Sequence, residues 1–175
     1  MTITDDSTLE TLQPDPGVGQ QFRKALSQFG TGVTVVTTMG PQGPVGITAN
    51  SFSSVSLDPP LVLWSVSRTS SRYGYFSDAE NLAIHVLGHD QSQLCWDFSK
   101  SKDAFHSHAW HESETGTPLI DGCLARFECQ RYANYDGGDH AILVSRVTRL
   151  SFQKGNPLLF FGGDVGRFTS IVDDP

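Results

Sequence analysis

Most of the usual marks of function are missing from this chain. Basic residues are scarce: 12 Lys and Arg stand against 19 Asp and Glu, a formal net charge of −7, and no basic cluster forms. Neutralising phosphates along a nucleic acid needs grouped cations, so a nucleic-acid surface is excluded. No apolar run approaches the roughly 20 residues of a spanning helix. The opening Met-Thr-Ile-Thr-Asp-Asp has neither the basic start nor the apolar core of a signal peptide, which points to the cytoplasm. Cysteine is limited to Cys95, Cys123 and Cys129, an odd number without Cys-x-x-Cys spacing. That pattern reads as buried reduced thiols rather than a disulfide framework. There is no Gly-x-Gly-x-x-Gly or Walker loop, which argues against a Rossmann or P-loop protein. Internal repeats and low-complexity segments are also lacking.

What is present is a β pattern punctuated by Gly and Pro. The 175 residues suit one domain with a real core, over residues 18–175, behind a polar, acidic, flexible tail at 1–17. Phe22, Ala25, Leu26 and Phe29 recur at helical spacing before Gly30, which predicts a short amphipathic helix packed on the body. Val33–Thr38 is β-branched, and Gly40–Pro44 reads as a hairpin turn. Strands are expected at Val45–Ser56 and Leu61–Ser67, divided by Pro59-Pro60, which cannot donate to a ladder. Helices are expected at Ser70–Ala79 and Asp90–Phe98. Further strands fall at Asn81–Leu87, Leu124–Tyr132, Ala141–Phe152 and Leu158–Phe161, with a polar excursion at Lys100–Pro118. Many short strands and only short helices predict a mainly β, antiparallel barrel.

The stretch Gly46–Pro60 carries the clearest chemistry. Thr48, Asn50, Ser51, Ser53, Ser54 and Ser56 set hydroxyls and an amide between apolar residues. None is a strong nucleophile or base at neutral pH; all exchange hydrogen bonds in a small space. That suits a polyhydroxylated heteroaromatic ligand. Arg68-Thr69-Ser70-Ser71 follows a strand and opens a helix, a place where a planar guanidinium and free N–H groups suit a phosphate. The bland reading of the same residues is a serine cap beside a solvated arginine. Asp136-Gly137-Gly138-Asp139-His140 reads as a hairpin turn, or as a polar lip over a pocket.

Other residues have plainer readings. His106, His108 and His111 have a metal-like spacing but sit in a surface loop, and no metal is assigned to them. His85 lies in an apolar strand and reads as a core histidine bonded to backbone. Trp64 and Trp96 read as core; Arg72, Arg126, Arg146 and Arg149 read as surface charges.

From about Phe22 to Phe168 the chain resembles the short-chain flavin reductases, the reductase components of two-component flavin-dependent monooxygenases. The resemblance rests on Phe22–Thr38, Gly46–Pro60, Arg68-Thr69-Ser70, Phe98-Ser99, Phe105, Trp110, Gly138-Asp139-His140 and Pro157–Phe161, in that order and spacing. It implies an FMN-binding split β-barrel of Greek-key type, forming a homodimer with flavin near the subunit interface. It further implies that Thr48, Ala49, Asn50 and Ser51, with Ser54 nearby, contact the isoalloxazine and ribityl chain. Ser65, Val66 and Ser67 would continue along the ribityl, and Arg68 and Ser70 would hold the phosphate. Gly138, Asp139 and His140 would face the nicotinamide, with His140 positioning it, and the Phe161–Phe168 segment would cover the pocket. The implied activity is reduction of FMN or FAD by NADH, with NADPH less favoured for want of a basic cluster. Reduced flavin would then pass by diffusion to an oxygenase. A flavin carrier or sensor without reductase activity is the alternative. Phe161-Gly162-Gly163-Asp164 departs from an aromatic-Arg-Gly pattern common in the family, which removes an arginine contact there.

Overall fold

The computed structural model describes residues 19–171 together with Leu9, Thr11, Gln13 and Gly17; the tail expected over 1–17 lies almost wholly outside them. Twelve strands are found in the described residues: β1 (Thr31–Gly32), β2 (Thr34–Gly40), β3 (Gly43–Ala49), β4 (Ser53–Leu57), β5 (Pro60–Ser67), β6 (Asn81–Val86), β7 (Trp110–Glu112), β8 (Pro118–Ile120), β9 (Ala125–Gly137), β10 (His140–Phe152), β11 (Leu158–Phe161) and β12 (Asp164–Arg167). Three α-helices accompany them: α1 (Gly19–Leu26), α2 (Tyr73–Ser77) and α3 (Ser92–Lys100). None of these helices is long and apolar enough to cross a membrane.

Seven strands form one antiparallel sheet in the order β3-β2-β6-β9-β10-β5-β4. Its outermost strands, β3 and β4, are joined by only Asn50, Ser51 and Phe52. In a flat sheet the two edges would stand roughly 29 Å apart at the usual strand spacing. A three-residue link reaches about 14 Å at most. The sheet therefore curls until its edges approach, yet β3 and β4 do not pair, so the barrel stays split. A second sheet, β1-β11-β12, lies beside the barrel, tied to it by Val33 N–H donating to the Leu158 carbonyl at 3.2 Å.

Strand β2 shows why the sequence folds this way. Its side chains alternate between two cores. Val36 faces the barrel interior with Val62, Trp64, Val66, Phe76, Ile84 and Leu143. Val35 faces outward to Leu87, Leu94, Phe98, Phe105 and Leu158 under α3. With both faces buried, its polar positions need partners within the protein. Thr34, Thr37 and Thr38 donate to the carbonyls of Ala49, Pro118 and Asn81 at 2.7, 2.5 and 2.8 Å. Helix α3 comes close enough to β3 that a Cβ on Gly46 would stand 2.4 Å from the Phe98 ring.

Several expectations change. The strand expected over Val45–Ser56 is two strands, interrupted where the chain crosses from one barrel edge to the other. The excursion at Lys100–Pro118 contains β7, whose hairpin with β8 covers His85. The helix expected at Ser70–Ala79 shortens to α2, because Ser67 and Ser70 carbonyls first accept turn bonds from Ser70 and Tyr73. The first helix forms but buries nothing: Phe22, Leu26 and Phe29 are 51%, 57% and 77% exposed. Helical spacing reveals an apolar stripe, not what covers it.

Candidate functional site

The two polar constellations of the sequence meet in space. Strands β5 and β10 pair so that Ser67 stands opposite His140, and Arg68 N–H donates to the Asp139 carbonyl at 2.9 Å. The turn between β9 and β10 is two residues long, Gly138 and Asp139. Gly138 carries φ 77° while Asp139 does not go positive, the sign pattern of a hairpin turn that wants glycine first. The Asp139 side chain accepts a 2.7 Å hydrogen bond from His140 Nδ1–H. That bond, with the charge of a protonated His140, holds the Asp139 carboxyl below the usual carboxylate range. It also fixes the imidazole so that Nε2 is left for another partner.

A polar seam runs along the outer face of the barrel. Trp64 and Val66 of β5 point into the core, so Ser65 and Ser67 point out. Ser51 bridges the split: its hydroxyl accepts from Ser65 N–H at 2.9 Å and donates to the Ser65 carbonyl at 3.2 Å. Ser67 and Thr69 share a hydroxyl–hydroxyl hydrogen bond of 3.0 Å. At the end of the seam Arg68 donates to Gly138 O, Tyr73 Oη and Asp136 Oδ1 at 3.2, 3.0 and 2.7 Å.

At its other end the seam opens on a cleft of about 180 Å³ lined by Val33, Thr48, Ala49, Asn50, Cys95, Trp96, Ser99, Phe160 and Val165. Small-molecule pockets usually run from about 300 Å³, so a flat ring laid here keeps one side open. At the mouth the Asn50 amide side chain finds no partner among the described residues, while Thr48 spends its hydroxyl on the Cys95 carbonyl of α3 at 2.6 Å. An apolar slot leading to a hydroxyl-lined groove and then a cation fits the three parts of a flavin nucleotide: ring, ribityl chain and phosphate.

The structure brings together Thr48, Ala49, Asn50, Ser51, Ser65, Ser67, Arg68, Gly138, Asp139 and His140 along this cleft and seam. The Val66 side chain is in the barrel core, which leaves only its backbone for a ligand. Ser70 accepts Arg72 N–H through its hydroxyl at 3.2 Å, and Ser54 sits exposed on the edge strand β4. Phe161 and Phe168 are exposed; Val165 of that segment and Phe160 just before it line the cleft.

Three residues differ from their sequence reading. Trp96 is not core but 42% exposed at the cleft. Arg72 is not a surface charge: buried, it donates to the carbonyls of Phe98 and Ser99 and so ends α3. Arg126 is likewise half-buried, with an unpartnered buried Nε. The only hint was charge next to a helix C-terminus, invisible until 26 residues of chain bring Arg72 to Phe98.

The histidine cluster separates. His108 pairs with Asp97 at 2.9 Å, His111 with Asp121 at 2.9 Å, and His106 bonds the Asp103 carbonyl at 3.1 Å. Among the described residues no group of three metal-binding side chains comes together. Burial raises the pKa of all three thiols, Cys129 up to about 12, which makes them poor nucleophiles.

Comparison with known proteins shows the family. The model of the flavin reductase like domain matches residues 26–169, and the chain belongs to that family. An FMN reductase (NADH), SmoA, of Agrobacterium fabrum is 53% identical over 150 residues, 86% of each chain. The reductase subunit HsaB of a flavin-dependent monooxygenase from Rhodococcus jostii is 36% identical over 174 residues, 98% of this chain and 86% of that protein. The NADH:FAD oxidoreductase SgcE6 of Streptomyces globisporus, solved with NAD and FAD fragments, superposes with a TM-score of 0.86 at 37% identity, over 93% of this chain and all of that one.

Proposed function

We propose that this protein is an NADH-dependent flavin reductase that supplies reduced FMN or FAD to a separate monooxygenase. The observation that carries the reading is the continuous run from the Thr48–Asn50 slot through Ser51, Ser65 and Ser67 to Arg68, in which the one thiol lining the slot, Cys95, is buried with a raised pKa. When bound, nicotinamide and flavin supply the hydride donor and acceptor themselves. The chain's task is placement. The slot walls, Trp96 and Phe160 among them, would hold the isoalloxazine plane. The Ser51, Ser65 and Ser67 hydroxyls would follow the ribityl chain, and Arg68 with the Ser70 turn would hold the phosphate. Peptide N–H groups near Ala49–Ser51 would steady negative charge gathering on the ring. His140, oriented by Asp139, would position the nicotinamide nucleotide. It stands on the Ser67 side of the seam rather than in the slot, so it would reach the donor from the phosphate end.

A homodimer fits the exposed stripe of α1. Eight residues do not hold a helix in water unaided, and Phe22, Leu26 and Phe29 want a covering surface. A second protomer would also narrow the open side of the slot. The open cleft and the exposed Arg68 suit exchangeable flavin, as a diffusible product requires. Cytoplasmic residence follows from the same role.

The test is a steady-state assay crossing FMN and FAD with NADH and NADPH, following loss of the nicotinamide absorbance. Turnover with NADH and free flavin is expected. Flavin binding without NADH oxidation would instead make the protein a flavin carrier.

A further inference from the structure

Arg68 is not waiting for a ligand. Its Nη2 donates to Asp136 Oδ1 at 2.7 Å, Nη1 to Tyr73 Oη and Nε to Gly138 O, so each nitrogen already has a protein partner. Two of the three partners are neutral and one is a carboxylate. The pair lies at the surface, with the Arg68 side chain 40% and the Asp136 side chain 81% exposed. An aspartate that free can turn away into water at little cost, and exposed pairs of this kind are weak and salt-sensitive.

We propose that Asp136 is a built-in competitor for Arg68, which the phosphate on the flavin's ribityl chain must displace on binding and which retakes the guanidinium as flavin leaves. The proposal rests on Arg68 being the phosphate contact. A phosphate carries more charge and more acceptor oxygens than one carboxylate, so it wins the guanidinium when flavin is present. It wins by a reduced margin, because an existing bond is exchanged rather than a new one made. The carboxylate also stays nearby as a like charge. The result is a phosphate contact strong enough to orient FMN and weak enough to release it. Asp136 also discriminates: it handicaps only ligands with a phosphate, and leaves riboflavin untouched.

Binding of FMN and riboflavin by Asp136→Asn, Asp136→Glu and Arg68→Ala tests this, with flavin off-rates by stopped flow. Asp136→Asn should bind FMN roughly two- to fivefold more tightly, the scale of one exposed ion pair. The gain should sit mainly in a slower off-rate, shrink in high salt, and be absent with riboflavin. Asp136→Glu should restore native behaviour. A merely structural Asp136 would do the reverse: loosening the turn would weaken FMN and riboflavin alike, and that result overturns the proposal. So does unchanged FMN affinity in Asp136→Asn when Arg68→Ala loses FMN but not riboflavin. If Arg68→Ala leaves FMN affinity unchanged relative to riboflavin, the phosphate role of Arg68 falls first, and the competitor role with it.

Discussion

The ring of His85 accepts a hydrogen bond from Ile120 N–H at Nε2, 3.0 Å, while its Nδ1–H donates to the Val35 carbonyl, 3.0 Å. The neutral imidazole thus rivets the β7–β8 hairpin to the barrel. Protonation would leave Nε2–H facing another N–H. Burial is the main cause that drops this pKa from 6.5 to about 3, against the raising effect of the Val35 bond, with Arg126 and His111 lowering it further. The unfolded chain therefore takes up a proton below pH 6.5 that the folded chain refuses until about pH 3. Stability is full above that window and falls as pH drops through it, approaching about 1.4 kcal/mol per pH unit. Urea denaturation at pH 7, 5.5 and 4.5 should show that slope, and His85→Gln should flatten it. An equally steep variant would contradict the assignment.

Gly46→Ala puts a methyl 2.4 Å from the Phe98 ring. The expected loss is about 1–3 kcal/mol, since a core ring on α3 must move. Because α3 carries Trp96 and Ser99, flavin affinity should fall as well; denaturation and flavin titration on the same sample check both.

Thr48 separates a packing role from a ligand role. If its hydroxyl serves only the Cys95 carbonyl, Thr48→Val costs about 0.5–1.5 kcal/mol of stability and leaves flavin affinity nearly intact. A large loss of flavin affinity at native stability would put the hydroxyl on the flavin instead.

Trp96 at the cleft should report the ligand directly. Flavin titration should quench its emission, and Trp96→Phe should remove most of the quenching. Trp96→Ala should weaken flavin binding by about 0.5–1.5 kcal/mol if the ring stacks. Full quenching in Trp96→Phe would move the ring site elsewhere.

His140→Ala should raise KM for NADH more than it changes flavin affinity, whereas Asp139→Asn, which keeps the ring but loosens it, should do so to a smaller degree. The opposite ranking, flavin affected first, would place His140 on the flavin.

The strands were legible because alternation is local: Val35 and Val36 announce two faces wherever the partners come from. The Ser51 region stands out in the sequence because six small polar side chains in the nine residues Thr48–Ser56 have no use in an ordinary core strand. What could not be read was long-range. Nothing near Asn50 says that the chain there leaves one barrel edge and joins the other. Trp96 lies between Leu94 and Phe98, and only the placement of β11 shows that it looks onto a cleft. Arg72 is indistinguishable from a solvated arginine until the end of α3 arrives above it. Arg68 reads from sequence as a cation at a strand end, but its tie to Asp136 depends on the β5–β10 register.

Helix α3 joins several of these features: Phe98 presses on Gly46, Arg72 holds its last turn, and Trp96 and Ser99 line the cleft. With flavin in that cleft, as proposed, its affinity would be set in part from behind the wall. A lineage under pressure to release flavin faster need not alter any residue that meets it; exchanging side chains beneath α3 would shift the wall by fractions of an ångström. Engineering of flavin delivery in this protein has its quietest controls in the hydrophobic layer between β2 and α3, where activity and thermal stability will drift together.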